Sequence, residues 1–210
     1  MRRTASALMM TLCLLLSGCG GGSMDKADQL TLDLRGEYLG LERVTAQMEV
    51  EADYGRRVYD YTIALDWQRE GETTLSVTEP EELAGITARI AEGKTFLEFD
   101  GVSLETGPLD ESGLSPLSAA PELLRAAAEG FIAESGFDIL GEQECLRLLC
   151  RDPEGEPGVG TEHTLWFDPS TGNLLRGEIS VDGQRVITCE VRSFVKEKAG
   201  ERQPQNEGET

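Results

Sequence analysis

The chain has 210 residues, with 39 Asp and Glu against 19 Lys and Arg and a formal net charge of −20. That length allows one domain with a buried core, and such acidity argues against nucleic acid and against basic residues lying on an anionic bilayer. The acid excess reads as a solvated surface and by itself names no ligand.

Arg2 and Arg3, followed by an apolar run over residues 7–16 broken only by Thr11, form a charged n-region and a short h-region. The run falls well below the roughly 20 residues that cross a bilayer, so residues 1–18 read as a signal peptide and not as a span. Its end, Leu16-Ser17-Gly18-Cys19, resembles the bacterial lipobox. That resemblance implies cleavage before Cys19, acylation of its thiol and a lipid anchor on the extracytoplasmic face of the cell membrane. Bilayer contact is then made by the acyl chains on Cys19. Residues 19–29, with Gly20-Gly21-Gly22-Ser23 near their start, read as a flexible tether.

The folded domain is expected over residues 30–195. Leu30, Leu34, Tyr38 and Leu41 recur at helical spacing, with Asp25 and Asp28 near the start and an end expected by about Gly40. The period then becomes two: Val44, Ala46, Met48, Val50, Ala52 and Tyr54 alternate with polar residues. Gly55-Arg56-Arg57 turns the chain into a second alternation, Tyr59, Tyr61, Ile63, Leu65 and Trp67. Shorter strands follow with Leu75 and Val77, with Ile86, Ala88 and Ile90, with Phe96 to Phe99, and with Val102, Leu104 and Thr106; Glu92-Gly93 and Asp100-Gly101 supply turns. Strand after strand with short turns predicts an antiparallel meander.

Ser115-Pro116 offers an N-cap and a first-turn proline, Pro121-Glu122 repeats the signal, and Leu124, Ala127, Ala128 and Phe131 form an i, i+3, i+4, i+7 stripe. The spacing predicts a helix over residues 117–133, weak at Gly130 and stopped by Gly136, laid across a curved sheet. Strands are expected again near residues 137–143, 146–151, 163–167, 174–181 and 185–195, with turns at 168–172 and at Asp182-Gly183. Residues 152–162 read as an acidic mobile loop and 196–210 as a disordered tail. The fold class is α+β, mainly antiparallel β.

Candidate chemistry is sparse. Beyond Cys13 and Cys19, the thiols are Cys145, Cys150 and Cys189, enough for one disulfide with one orphan, and the pairing stays open. On one extended strand Cys145 and Cys150 would lie about 16 Å apart, too far to bridge unless a turn intervenes. A lone His163 without a CxxC leaves no zinc spacing, and no metal or cofactor is expected. A Ser-His-Asp relay would have to use His163, yet no nucleophile elbow accompanies it; it reads as a strand histidine beside Leu165 and Phe167. Carboxylate pairs are uninformative among 39 acids, and Trp67 and Trp166 read as strand packing. No catalytic residue is assigned, and the chain is read as non-enzymatic.

The order helix, about six strands, helix, about five strands on a lipid anchor resembles the LolA-like superfamily of lipoprotein carriers and their lipoprotein relatives. That resemblance implies an open half-barrel with helices packed on its concave face. Within it, Pro80, Ala84-Gly85-Ile86, Phe99-Asp100-Gly101, Leu104-Glu105-Thr106-Gly107 and Leu114-Ser115-Pro116 are similar to the spore-germination lipoproteins of the GerS type. Membership would imply a regulator that binds and licenses a cortex-modifying amidase during sporulation or germination, often as a homodimer. One departure bears on the carrier reading: soluble LolA is not itself lipidated, whereas this chain has its own anchor. Two outcomes follow from the helix over 117–133, of which the regulator, on the family resemblance and the chain's own anchor, is the leading reading and the carrier the alternative. If it fills the concave face, the protein works through rim and edge strands; if it leaves a cavity, acyl chains enter and the protein is a lipid or lipoprotein carrier. The lining expected for such a cavity is Ile63, Leu65, Trp67, Leu75, Val77, Leu124 and Phe131.

Overall fold

The computed structural model describes residues 25–109 and 112–198. The lipobox with Cys19, most of the tether and the tail beyond 198 lie outside the described residues. Helix α1 (Lys26–Leu39) is followed by strands β1 (Leu41–Asp53), β2 (Val58–Gln68), β3 (Thr73–Glu79), β4 (Thr87–Ala91), β5 (Lys94–Phe99) and β6 (Val102–Thr106). Helix α2 (Pro116–Glu129) leads to β7 (Ile132–Leu140), β8 (Gln143–Cys150), β9 (Thr161–Phe167), β10 (Leu174–Val181) and β11 (Gln184–Lys198).

Among the described residues these strands form one open antiparallel sheet of 11 strands, ordered β6-β5-β4-β3-β2-β1-β11-β10-β9-β8-β7. Two meanders meet where the first strand pairs with the last, from Leu41 against Lys198 to Ala52 against Ile187. The chain thus runs outward to the β6 edge, crosses the concave face as α2, and returns from the β7 edge. The alternation seen in the sequence sets which residues face inward. Val44, Ala46, Met48, Val50 and Ala52 of β1 are buried, and across the ladder they face Trp67, Leu65, Ile63, Tyr61 and Tyr59. The opposite face is polar and cross-linked by ion pairs, such as Arg43 with Asp66 at 2.7 Å and Arg192 with Glu49.

The hairpins at Asp100-Gly101 and Asp182-Gly183 have positive φ at both turn residues, as their dipeptides require. Asp25 sits at the N-cap position of α1, and Tyr38 is its buried anchor, edge-on to Phe167 at 5.4 Å, with its hydroxyl donating to the Gly172 carbonyl. Lys196, from β11, sits 2.7 Å from Glu37 and ties the helix to the sheet.

Four boundaries stand out as different from the sequence reading. α1 starts at Lys26, inside the expected tether, and β11 continues to Lys198, past Val195. α2 ends at Glu129, not at Gly136, and β7 begins at Ile132. The chain leaves the helix at Gly130, whose carbonyl is taken by the Arg35 guanidinium of α1, while the Phe131 carbonyl accepts from the Arg151 amide. Pro121 does not restart the helix; α2 runs through it, capped by the reciprocal hydrogen bonds of Ser115 and Ser118.

Candidate functional site

α2 is rich in alanine, and its small faces let it lie close to the sheet. Leu123 sits over Gly177 of β10, where an added Cβ would come within 2.4 Å of the leucine Cδ1. The helix packs over β1, β2, β9 and β11, and α1 covers β7 and β8. Over β3 to β6, α2 stands off from the sheet and leaves open space between them. Helix and open sheet together bound two neighbouring hollows, an apolar arm and a polar arm.

The apolar arm is a cavity of about 370 Å³ between the first turn of α2 and β2 to β6, lined chiefly by Tyr61, Val77, Leu83, Ile86, Leu97 and Leu117. Its rim carries exposed apolar side chains: Phe99, Val102 and Leu104. The polar arm, about 620 Å³, lies beside the next turns of the helix, where Ser118, Pro121, Glu122 and Arg125 line one wall opposite Ile90. Those positions share one helical face by their spacing. Thr95 and Leu109 line both arms.

Glu122 is the buried ionisable group of this site, 5 % exposed. Its carboxylate accepts from Arg125 Nε and Nη2 at 2.7 and 2.6 Å, and His163 Nε2 of β9 lies 3.1 Å from Oε1. Burial pushes the Glu122 carboxyl up, but the pull of neighbouring His163 and Arg125 outweighs it and holds the group below the ordinary range. His163 is therefore a buried strand histidine beside Leu165 and Phe167 with a carboxylate partner. The sequence reading found His163 but not Glu122 or Arg125; the i, i+3 placement of those two after Ser118 was the available signal.

Of the expected cavity lining, Ile63, Leu65, Leu75, Val77 and Leu124 are buried, and Trp67 is partly buried against the same core. Val77 reaches the cavity itself. Phe131 does not join them: it is 50 % exposed, beyond the end of α2, because the helix stops before its stripe completes a second turn. Trp166 is on the polar face, its indole donating to Asp138 and its ring under Arg176.

All three described thiols are free and buried. Burial pushes Cys150 up to about 11 and Cys189 up to about 12, and raises Cys145 as well, which leaves little thiolate near neutrality. A further depression on the polar face, about 890 Å³, is lined by Glu49, Glu51, Asp60, Glu190, Arg176 and Arg185 among others. Arg176 is already bridged to Glu178 and Glu190 there. Among the described residues no helix is long and apolar enough to cross a membrane.

No protein-family model matches the chain, and no curated protein matches it. Solved structures to which it is similar include a conserved protein of Thermus thermophilus, at 13 % identity, covering 85 % of this chain and 94 % of that one, with a TM-score of 0.49. Another is the LolA superfamily protein NE2245 from Nitrosomonas europaea, at 10 % identity, 80 % and 92 % coverage and a TM-score of 0.38. A third belongs to the Clostridioides difficile complex of the CwlD amidase with the GerS lipoprotein, at 14 % identity, 88 % and 100 % coverage and a TM-score of 0.36.

Proposed function

We propose that the protein is a non-catalytic binding protein, held on the extracytoplasmic face of the cell membrane by acylated Cys19, whose guest is an acyl chain received in the apolar arm. The observation that supports this reading is the cavity of about 370 Å³ that α2 leaves open, walled by aliphatic and aromatic side chains and bordered by exposed Phe99 and Leu104. Ligand sites of this kind hold roughly 300–1,000 Å³, and each methylene moved there from water contributes about 0.8 kcal/mol. A lipid anchor would keep the hollow near a source of acyl chains. The acyl-binding reading takes precedence over the regulator reading because the helix does not fill the concave face.

The regulator reading retains one supporting observation. β6 is an edge strand whose five residues are all exposed. A strand added there would extend the sheet and cover Val102 and Leu104. On that reading the partner is a protein, an amidase if the germination-lipoprotein resemblance holds, and the protein itself is a homodimer.

The test uses the full chain with Cys19→Ala, so that its own anchor contributes no acyl groups. Purified without detergent, it is extracted with organic solvent and the extract read by mass spectrometry. Co-purified acyl chains that disappear with Leu97→Gln support the binding reading. An empty hollow together with a stoichiometric protein partner overturns it in favour of the regulator.

A further inference from the structure

We infer that the guest lies across the strands as one extended acyl chain, its methyl end under the first turn of α2 and its polar end leaving into water over the β6 edge, so that the chain is selected and the head is not. This rests on the acyl-binding reading and adds the path and direction of the guest. The register of the ladders draws the path. Leu75 faces Ala88, Ala88 faces Leu97 and Leu97 faces Leu104, one apolar row carried over β3, β4, β5 and β6. Two residues along each segment, on the same side of the sheet, Val77, Ile86, Phe99 and Val102 make a second row. The inner part of both rows is the floor of the apolar arm, to which Val77, Ile86, Ala88 and Leu97 contribute beneath Pro116 and Leu117. The outer part, Phe99, Val102 and Leu104, continues in register to the edge strand and is exposed. The β6 edge lies two strand spacings, about 10 Å, beyond Ala88.

The rows stand about 7 Å apart, room for one polymethylene chain between them, and neither row carries a charge. A protein docked on this face would find four exposed apolar side chains, Leu97, Phe99, Val102 and Leu104, where a stable interface uses about 20–30 residues a side. One acyl chain needs no more than this strip. Direction follows from the inner end. Among the described residues, the polar side chains lining the apolar arm are the hydroxyls of Tyr61, Thr95, Thr106 and Ser115. Those of Thr106 and Ser115 are already bonded, to the Thr95 carbonyl and to Ser118. A charged or strongly hydrated head placed there would lose its water without a charged partner. Over β6 it keeps that water.

The test uses the full Cys19→Ala chain, freed of endogenous lipid, with Val102→Trp as a reporter at the edge; Val102 is 69 % exposed, and thermal unfolding verifies the fold. 2-Bromohexadecanoate, brominated beside the carboxylate, and 16-bromohexadecanoate, brominated at the methyl end, are titrated separately, and fluorescence is read against the chain without the reporter, which retains Trp67 and Trp166. The first is expected to quench the added tryptophan and the second to leave it bright. Val102→Ser with Leu104→Ser is expected to weaken hexadecanoate about tenfold in displacement of a fluorescent acyl probe, at about twofold for each methylene covered on one side only. Hexadecanoate and palmitoyl lysophosphatidylcholine should bind the parent chain within a factor of about three of each other. Quenching by 16-bromohexadecanoate as strong as by its isomer, quenching by neither while both displace the probe, a double variant that binds as the parent does, or a head preference above about tenfold overturns the path and direction and leaves acyl binding standing. If no acyl compound binds, the path and the acyl-binding reading fail together.

Discussion

On the concave side, the sheet has two territories that share one pattern of inward-facing residues and differ in cover. Beneath the helices, Met48, Leu148, Ile179 and Ile187 are at most 1 % exposed. At the far end of the same face, Leu97, Phe99, Val102 and Leu104 of β5 and β6 are 39 %, 48 %, 69 % and 62 % exposed. They pair across the ladder in register, Leu97 with Leu104 and Phe99 with Val102, so the strand itself is regular. The covered territory supplies the stability of the domain. The open one keeps apolar surface in water, which a monomeric protein seldom does without a use for it.

Several substitutions would break or sharpen that contrast. The largest effect is expected at Leu123, buried where α2 meets β10: Leu123→Ala should cost about 2–5 kcal/mol in a urea unfolding titration, with an unchanged slope. An effect on stability below about 1 kcal/mol would mean that α2 is not what closes this half. Gly177→Val approaches the same contact from the sheet and should cost about 1–3 kcal/mol by overpacking; because Leu123 Cδ1 already lies within 2.4 Å of an added Cβ, the Leu123 side chain must shift from its packed position.

Acid titration comes next. Glu122 has its folded carboxyl held below the ordinary value of 4.5, so its contribution is present above pH 4.5 and lost as pH falls through the folded value. Glu122→Gln should therefore lower the melting temperature near neutrality and flatten its fall below pH 4.5. Glu37 and Asp138 share the acid limb, Glu37 raised by burial but lowered further by Lys196 and Lys198, Asp138 lowered by the Trp166 indole, so flattening is partial. An acid limb unchanged in the variant would remove Glu122 from the set of groups that hold α2 to the sheet.

The smallest stability change belongs to the open territory. Leu104→Lys should shift stability by no more than about 0.5 kcal/mol, since the side chain is 62 % exposed, yet weaken acyl binding. A loss of stability like that of Leu123→Ala would show that β6 is cooperative core. The thiols give a companion measurement: Cys150 and Cys189 should resist alkylation near pH 8 in the folded chain and react after unfolding, and rapid labelling of the native protein would contradict their burial.

Much of the scaffold was legible because its signals are local. Alternation over residues 44–52 named the inward side chains of β1, and Asp100-Gly101 and Asp182-Gly183 marked hairpins because a two-residue turn with positive φ tolerates few other residues. Ser115-Pro116 marked the start of α2 for the same kind of reason. The end of α2 was not legible. Its stripe continues on paper to Phe131, but the carbonyl of Gly130 is bound by Arg35 from another helix, and the next residues belong to a sheet edge. β7 was placed late because Gly136 interrupts a strand whose outer side is solvent, where alternation is weak.

Thus the sequence by itself determined the order of elements, the inward faces of β1 to β3 and the capped start of α2, since each depends on residues close along the chain. Only the tertiary structure decided how far α2 and α1 reach across the concave face, that Glu122 meets His163 from a strand about forty residues away, and that Leu97 and Leu104 stay open. Contact between distant segments depends on the curvature of the sheet and the path of the crossing helix, and neither has a local signature in the amino-acid order.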